Sequence, residues 1–243
     1  MNRKLKIGLY IILIFIICIV AFGIYYVNDY YHADDSVSKY LNGTSNVSVI
    51  HTGNGLFLNG SGEDDALIFY PGAKVEYTAY LPLLMSLSEK GVDCFVVEMP
   101  FNLAFLGENS ADEIIGNGSF NYSHWFIGGH SLGGVVASSY AHNHFGTVDG
   151  LILLAAYPSN DVSNLSVLSI YGSNDNVLNM ENYAKAKVYL PDNFTEFVIS
   201  GGNHGQFGDY GIQSGDGVAS ISRSDQIGLT VGEILSFISG FSV

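Results

Sequence analysis

The stretch GGHSLGG at residues 128–134 decides the fold class of this 243-residue chain. It follows a short apolar run at residues 125–127 and precedes a helical pattern. Within it, Gly129, Ser131 and Gly133 form the pattern G-x-S-x-G, which places a serine on a sharp turn between a strand and a helix. Glycine suits the two outer positions because no Cβ atom obstructs the close approach of the backbone there. The stretch therefore predicts an exposed nucleophile at Ser131.

On either side of this stretch, short apolar runs alternate with helical patterns. The runs are almost continuously apolar and the connections are short, which is typical of a mostly parallel sheet covered by helices on both faces. An amphipathic helix with Ser224 as its expected N-cap lies near the end of the sequence. We therefore predict an α/β fold with strands at residues 66–70, 93–98, 125–127, 148–156, 167–171 and 194–199.

A serine nucleophile requires a base, and in this architecture the histidine follows the serine and the acid along the chain. Four of the seven histidines precede Ser131. His142 and His144 end the helix that begins at the serine, and a helix of that length carries them roughly 16–20 Å away. The predicted base is therefore His204, which lies in the loop after the last predicted strand.

The acid that orients the histidine is expected in the loop after the preceding strand. Asp175 occupies that place, because the strand at residues 167–171 leads into it within a few residues. Its carboxylate would hold the imidazole tautomer and stabilise the imidazolium. The competing carboxylates, which lie at a strand start, after an earlier strand or too close to the histidine, are Asp149, Asp161 and Asp209.

Two backbone N–H groups are expected to complete an oxyanion hole. One belongs to Leu132, which follows the nucleophile at the N-terminus of the helix. The other should come from the loop after the strand at residues 66–70. In that loop we select Ala73, with its neighbour Gly72 as the alternative.

These segments resemble the α/β-hydrolases, and among them the compact bacterial and archaeal "alpha/beta hydrolase family 5" type, related in outline to dienelactone hydrolases. The resemblance covers about residues 65–240. It implies an α/β-hydrolase fold and a Ser–Asp–His hydrolase in which Ser131, Asp175 and His204 act together. The matching segments occur in order at residues 70–73, 99–104, 128–134, 153–158, 171–175 and 201–211.

The connection at residues 156–166 limits the size of any cap over the site. It is only about ten residues long, so we expect no large cap domain and an open site. The loops at residues 101–107 and 206–221 would form its walls. An apolar acyl pocket is expected there, with packing beneath the loops as the alternative, from Phe101, Leu103, Phe105, Leu106 and Phe207.

Residues 7–27 form an apolar run without a charged residue. As a helix, the run would extend roughly 31 Å, about the thickness of the hydrocarbon core of a bilayer. A cleaved signal peptide is the alternative, but its apolar region is usually about 7–15 residues long and ends at small residues. This run ends in Tyr25, Tyr26 and Val27. It therefore predicts an uncleaved transmembrane anchor.

The charges that flank the run predict its orientation. Arg3, Lys4 and Lys6 precede it, whereas Asp29 follows it closely. By the positive-inside rule, the N-terminus lies in the cytoplasm and the remainder lies outside. We expect a single-pass protein of the cell membrane with a cytoplasmic N-terminus (1–6), a transmembrane anchor (7–27), a stalk (28–48) and a hydrolase domain (49–243).

The chain is acidic, with 9 Lys+Arg against 23 Asp+Glu and a formal net charge of −14. This balance disfavours nucleic acid as a partner, because phosphate binding needs a basic surface. An acidic site also suits neutral or cationic substrates better than anionic ones. The two cysteines form no metal-binding pattern, and the expected chemistry requires no metal and no organic cofactor.

Together these features predict a membrane-anchored, outward-facing serine hydrolase. It would cleave a small-molecule or lipid-like carboxylic ester through an acyl-enzyme on Ser131. Two alternatives stay open. An acyltransferase would use the same three residues and pass the acyl group to an alcohol, and a surface binding module would keep the hydrolase fold without catalysis.

Overall fold

The computed structural model describes residues 3–241 and divides into two units, with the boundary between Tyr30 and Tyr31. The first unit consists mainly of helix α1 (Arg3–Asn28). Its segment Lys6–Asn28 is long and apolar enough to cross a membrane, judged by length and composition. None of its most apolar stretch is buried within the described structure. This segment coincides with the span predicted at residues 7–27.

The second unit is built on one eight-stranded sheet. In chain order its strands are β1 (Ser48–Thr52), β2 (Gly55–Asn59), β3 (Asp65–Tyr70), β4 (Val92–Val97), β5 (His124–His130), β6 (Gly150–Leu154), β7 (Ser166–Gly172) and β8 (Thr195–Ile199). They lie side by side in the order β1-β2-β4-β3-β5-β6-β7-β8. The pairs β1–β2 and β2–β4 are antiparallel, and the pairs from β4 to β8 are parallel. The predicted mostly parallel sheet is confirmed.

Helices cover both faces of this sheet, which also confirms the α/β fold class. They are α2 (Leu81–Ser88), α3 (Ser110–Ile115), α4 (Leu132–Asn143), α5 (Met180–Ala186) and α6 (Arg223–Ser239). Residues of α2 and α6 belong to one apolar core, and residues of α3 and α4 belong to the other.

Strand β3 shows why the strands read as continuous apolar runs. Successive side chains of a strand point to opposite faces of the sheet. Leu67 and Phe69 pack in the core that contains α2 and α6, whereas Ala66, Ile68 and Tyr70 pack in the core that contains α4. Because both faces are buried, no polar residue alternates with the apolar ones.

The β1–β2 hairpin at the sheet edge is missing from the sequence-based prediction. Four of the five residues of β1 are exposed, so its sequence SVIHT lacks the apolar run by which the other strands are recognised. The hairpin forms because β2, which is buried, pairs with β4 and leaves its other edge for β1.

Helix α6 begins earlier than predicted, and its N-cap is Ser222 rather than Ser224. The Ser222 hydroxyl accepts a hydrogen bond from the Asp225 N–H, and the Asp225 carboxylate accepts one from the Ser222 N–H. This reciprocal capping box needs a polar side chain three residues after the cap. Ser224 has Ile227 at that position, so it cannot form the same pair.

Most of the predicted stalk at residues 28–48 belongs to the folded second unit. The Tyr31 N–H donates to the Lys74 carbonyl oxygen, and Tyr31 thereby extends the domain by one short parallel bridge. Val37 and Val47 are buried in the core. The segment is polar overall, which favoured a solvated linker, but two valines and backbone pairing suffice to hold it on the domain.

Candidate active site

Ser131 lies on a strained turn between β5 and α4. Its φ and ψ angles are 53° and −125°, in a region that residues with a Cβ atom rarely occupy. Such a conformation costs on the order of 1–3 kcal/mol and persists only where surrounding contacts enforce it. Here the Ser131 N–H donates to the Leu154 carbonyl oxygen at 2.9 Å, which ties the turn to the neighbouring strand β6.

The glycines that flank Ser131 are required by close contacts. A Cβ atom at Gly133 would overlap the carbonyl oxygens of Tyr70 and Pro71, and one at Gly129 would overlap the backbone of Gly133. Strand β5, helix α4 and the end of β3 thus approach one another more closely than any side chain permits. The sharp turn predicted from the G-x-S-x-G pattern has its physical origin in these contacts.

Asp175 and His204 lie in the loops after the adjacent strands β7 and β8. The His204 Nδ1–H donates to Asp175 Oδ2 at 2.8 Å, and each side chain is only 1% exposed. The other carboxylate oxygen, Oδ1, accepts the N–H groups of Val177 and Leu178, both at 2.8 Å. Because both oxygens are occupied, the carboxylate has a fixed orientation and in turn fixes the imidazole ring.

The second ring nitrogen of His204 points to the chemistry that the site can support. Nε2 is buried and has no hydrogen-bond partner anywhere in residues 3–241. Ser131 and His204 line the same cavity of about 230 Å³. An imidazole held at Nδ1 by a carboxylate, with Nε2 unoccupied beside a serine, can accept a proton from that serine.

Two residues that sequence reasoning missed hold the loop of His204. The Asp216 carboxylate accepts the N–H groups of His204 at 3.2 Å and of Gly205 at 2.8 Å. The fully buried Gln226 side chain accepts the Asn203 N–H at 3.0 Å and donates to the Asn203 carbonyl oxygen at 2.8 Å. The available sequence signal is a glutamine beside the apolar face of α6, whereas nothing local marks Asp216.

The loop after β3 offers one unoccupied N–H group. The Gly72 N–H donates to the Tyr80 hydroxyl at 3.0 Å, and the Lys74 N–H donates to the Asn102 carbonyl oxygen at 2.7 Å. Between them, the Ala73 N–H has no partner among the described residues. Of the two residues predicted as oxyanion donors in this loop, Ala73 is therefore the one whose N–H is left for an external acceptor. The first N–H groups of α4, beginning with Leu132, also lack intrahelical acceptors.

His130, directly before Ser131, is a buried and neutral histidine. Its Nδ1 lies 2.8 Å from the Tyr80 hydroxyl, and its ring centre lies 4.5 Å from that of His204. Burial, and next to it the neighbouring His204, hold the pKa of His130 well below its ordinary value of 6.5. The ring therefore carries no charge at neutral pH.

Residues 66–228, more than half of the chain, match the alpha/beta hydrolase family. The chain belongs to this family. A comparison with curated protein sequences gave no match.

Solved structures share the fold of this alpha/beta hydrolase at low identity. A membrane phospholipase A, described as a novel bacterial virulence factor, aligns with a TM-score of 0.61 and 13% identity over 98% of this chain and 99% of that one. TT1662 from Thermus thermophilus aligns with a TM-score of 0.59 and 14% identity over 80% of this chain and 97% of that one. Est1E from Butyrivibrio proteoclasticus aligns with a TM-score of 0.57 and 13% identity over 80% of this chain and 100% of that one. Similarity at this level establishes the fold alone.

The five side chains predicted to form an apolar acyl pocket lie apart from the cavity beside Ser131. Phe101, Phe105 and Leu106 are exposed, Leu103 is half-buried, and Phe207 is packed in the core. Phe105 and Leu106 border a separate surface groove. Phe101 and Asn102 in the same loop both adopt positive φ angles. None of the five side chains lines the cavity beside Ser131 within the described chain.

The cavity beside Ser131 is instead bordered by the loops after β6 and β7. Besides Ser131 and His204, its lining residues are Leu132, Val135, Ala155, Ala156, Tyr157, Val177, Leu178 and Asn179. These loops begin at the same edge of the sheet as the turn of Ser131, because the carboxyl ends of parallel strands share one edge. Residues 155–165, between β6 and β7, contain no helix, so the expected absence of a large cap agrees with the fold.

The competing carboxylates of this alpha/beta hydrolase have other partners. Asp149 accepts the Trp125 N–H, Asp161 accepts the Ser163 N–H, and Asp209 pairs with Arg223. Across residues 3–241, none of the three forms a hydrogen bond with His204. Asp175 is the carboxylate that forms a hydrogen bond with the His204 ring.

Proposed function

We propose that this alpha/beta hydrolase is a serine hydrolase that cleaves carboxylic esters through an acyl-enzyme on Ser131. The observation that carries the proposal is the buried Asp175–His204 hydrogen bond, which leaves His204 Nε2 unoccupied beside the cavity of Ser131. The strained turn at Ser131 supports it, because such strain is concentrated at functional sites.

In the proposed reaction, Ser131 Oγ attacks the acyl carbon while His204 Nε2 accepts the hydroxyl proton. Asp175 stabilises the imidazolium that forms. The N–H groups of Leu132 and Ala73 donate to the oxyanion of the tetrahedral intermediate. His204 then returns its proton to the departing alcohol as the C–O bond breaks, and water repeats the sequence to release the acid and restore Ser131.

The cavity beside Ser131 supports a short acyl group as the preferred substrate. Its volume of about 230 Å³ lies below the range of roughly 300–1,000 Å³ typical of pockets that enclose drug-sized ligands. We expect kcat/KM for p-nitrophenyl esters to peak at short acyl chains. Replacing Val135, which lines the cavity, with alanine should move the peak to longer chains. Val188→Ala, at an exposed position, is the matched control.

A fluorophosphonate probe tests the catalytic proposal directly. The full-length protein should be labelled, and Ser131→Ala should abolish both labelling and ester hydrolysis while the protein remains folded. An unlabelled wild-type protein would overturn the proposal and favour a binding module. Faster acyl transfer to an added alcohol than to water would instead identify an acyltransferase.

We further propose that α1 anchors the protein in the cell membrane with the hydrolase domain outside the cytoplasm. The apolar length of α1 and the basic residues Arg3, Lys4 and Lys6 before it support this orientation. A Ser45→Cys variant, exposed on the domain, should react with a membrane-impermeant maleimide on intact cells. Reaction only after lysis would reverse the topology. The wild-type chain, in which Cys94 is buried and Cys18 lies within the apolar run of α1, provides the unlabelled control.

A further inference from the structure

We propose that the Tyr80 hydroxyl is a positioning group for the reaction at Ser131, because it fixes the loop of Ala73 and the ring of His130 in a single arrangement. The inference rests on the proposed function and deepens it. Tyr80 lies just before α2 and is fully buried. Within residues 3–241 its hydroxyl forms hydrogen bonds with Gly72 and His130, neither of which lines the cavity beside Ser131. It therefore acts through other groups.

The hydrogen atoms around Tyr80 can be assigned from its contacts. The Gly72 N–H can only donate, so the Tyr80 oxygen accepts from it at 3.0 Å. The Tyr80 hydrogen then requires an acceptor, and His130 Nδ1 at 2.8 Å is the one that the described residues offer. This assigns the hydrogen of the neutral His130 ring to Nε2, which is buried and has no hydrogen-bond partner among the described residues. Burial raises the pKa of Tyr80, which keeps the hydroxyl protonated.

On the oxyanion side, this hydroxyl determines which N–H group is left for the substrate. It occupies the Gly72 N–H, while the Asn102 carbonyl oxygen occupies the Lys74 N–H. Ala73 lies between two fixed peptide groups, so the direction of its N–H is set by its neighbours. A Cβ atom at Gly72 would lie 3.0 Å from both the Tyr80 hydroxyl and His130 Nδ1, which shows how closely these groups pack.

On the side of the base, the same hydroxyl restrains His130 against His204. The two rings are tilted by 51° with centres 4.5 Å apart, and His130 directly precedes Ser131 in the chain. Because His130 is neutral, it does not repel the imidazolium of His204 when that cation forms, whereas a cationic neighbour would destabilise it. One hydroxyl group thereby connects the oxyanion loop, the turn of the nucleophile and the ring of the base.

The test compares Tyr80→Phe with Tyr210→Phe in the full-length protein. The ring centres of Tyr210 and Tyr80 lie 6.4 Å apart, but the Tyr210 hydroxyl donates to Gln213. Misplacement by about 1 Å can lower a rate by about 10²-fold. We expect Tyr80→Phe to lower kcat roughly 10–100-fold with little change in KM, and to weaken a boronic acid inhibitor in parallel. Tyr210→Phe should stay within about threefold of wild type.

A second pair of variants separates positioning from a loss of packing. His130→Asn keeps an acceptor near the position of Nδ1 and should retain more kcat than His130→Leu, which offers none. Equal kcat losses in Tyr80→Phe and Tyr210→Phe, or in the two His130 variants, would overturn the inference while wild-type activity upholds the proposed function. A wild-type protein without esterase activity or probe labelling would overturn both.

Discussion

The Asp175 carboxylate lies 2.8 Å from His204 Nδ1, and its other oxygen is held by two backbone N–H groups of its own loop. Both side chains are buried, so water does not compete for this hydrogen bond. The backbone N–H groups immobilise the carboxylate, and the carboxylate in turn restrains the orientation of the His204 ring.

Asp175→Asn should lower kcat by about 10³–10⁴-fold with little effect on KM, because an amide favours the wrong imidazole tautomer and cannot stabilise the imidazolium. Steady-state kinetics with a short-chain ester measures the effect. Asp161→Asn is the matched control, since this exposed carboxylate binds only its own turn. Similar rates for the two variants would contradict the assigned role of Asp175.

Gly133→Ala should destabilise the protein by about 1–3 kcal/mol and abolish probe labelling, because the new methyl group must displace backbone oxygens at the end of β3. Gly228→Ala in α6 is the control. Its methyl group meets no atom within 4 Å, and helix propensity predicts a gain of up to about 1 kcal/mol. Urea unfolding of both variants provides the measurement. A fully active Gly133→Ala protein would disprove the close contact.

The neutral state of His130 predicts a specific pH dependence of stability. Its pKa is depressed in the folded protein, whereas the unfolded chain titrates near the ordinary value of 6.5. Above that value neither state binds the proton. Below it the unfolded chain takes up a proton that the folded protein refuses, so the free energy of unfolding falls by at most about 1.4 kcal/mol per pH unit.

Urea unfolding at about pH 7.5 and about pH 5.5 measures this loss, with His130→Asn as the comparison because asparagine does not titrate. The variant should lose less stability on acidification than the wild-type protein. The titratable groups that face His130 are Tyr80, His204 and Tyr210, and all remain in the variant. An equal loss in both proteins would assign the pH dependence to another group.

Because most of residues 28–48 belongs to the second unit, two N-terminal truncations should have unequal effects. Removing residues 1–30 should leave a folded domain with wild-type esterase activity. Removing residues 1–47 also deletes the buried Val37 and the Asp34 N–H that donates to the Asp209 carbonyl oxygen, and should lower the melting temperature by several degrees. Equal melting temperatures would mean that the segment adds nothing to the stability of the domain.

The features predicted from the sequence are those that a local pattern fixes. A strand buried on both faces must be apolar throughout, as β3 is, and a serine turn pressed against a neighbouring strand must have glycine on either side, as at Gly129 and Gly133. The chain order of serine, acid and histidine then selected Asp175 and His204, which form a hydrogen bond. Their catalytic roles stay predictions.

The features that were missed depend on contacts between distant parts of the chain. Phe101 and Phe105 are apolar like a pocket wall, yet both are exposed, and their loop contains two residues with positive φ angles. Asp216 approaches His204 only because its loop returns to the sheet edge, and no spacing in the sequence encodes that return. Likewise β1 is a strand because β2 offers it an edge, although its own residues are mostly exposed.

The backbone at Ser131 has a consequence for how this protein balances stability against reactivity. A positive φ angle is unfavourable for serine and unstrained for glycine, and the peptide group there is held by Leu154 whichever side chain is present. On thermodynamic grounds alone, glycine is the better residue at position 131. The fold therefore tolerates, at this strained position, a side chain that it would be more stable without.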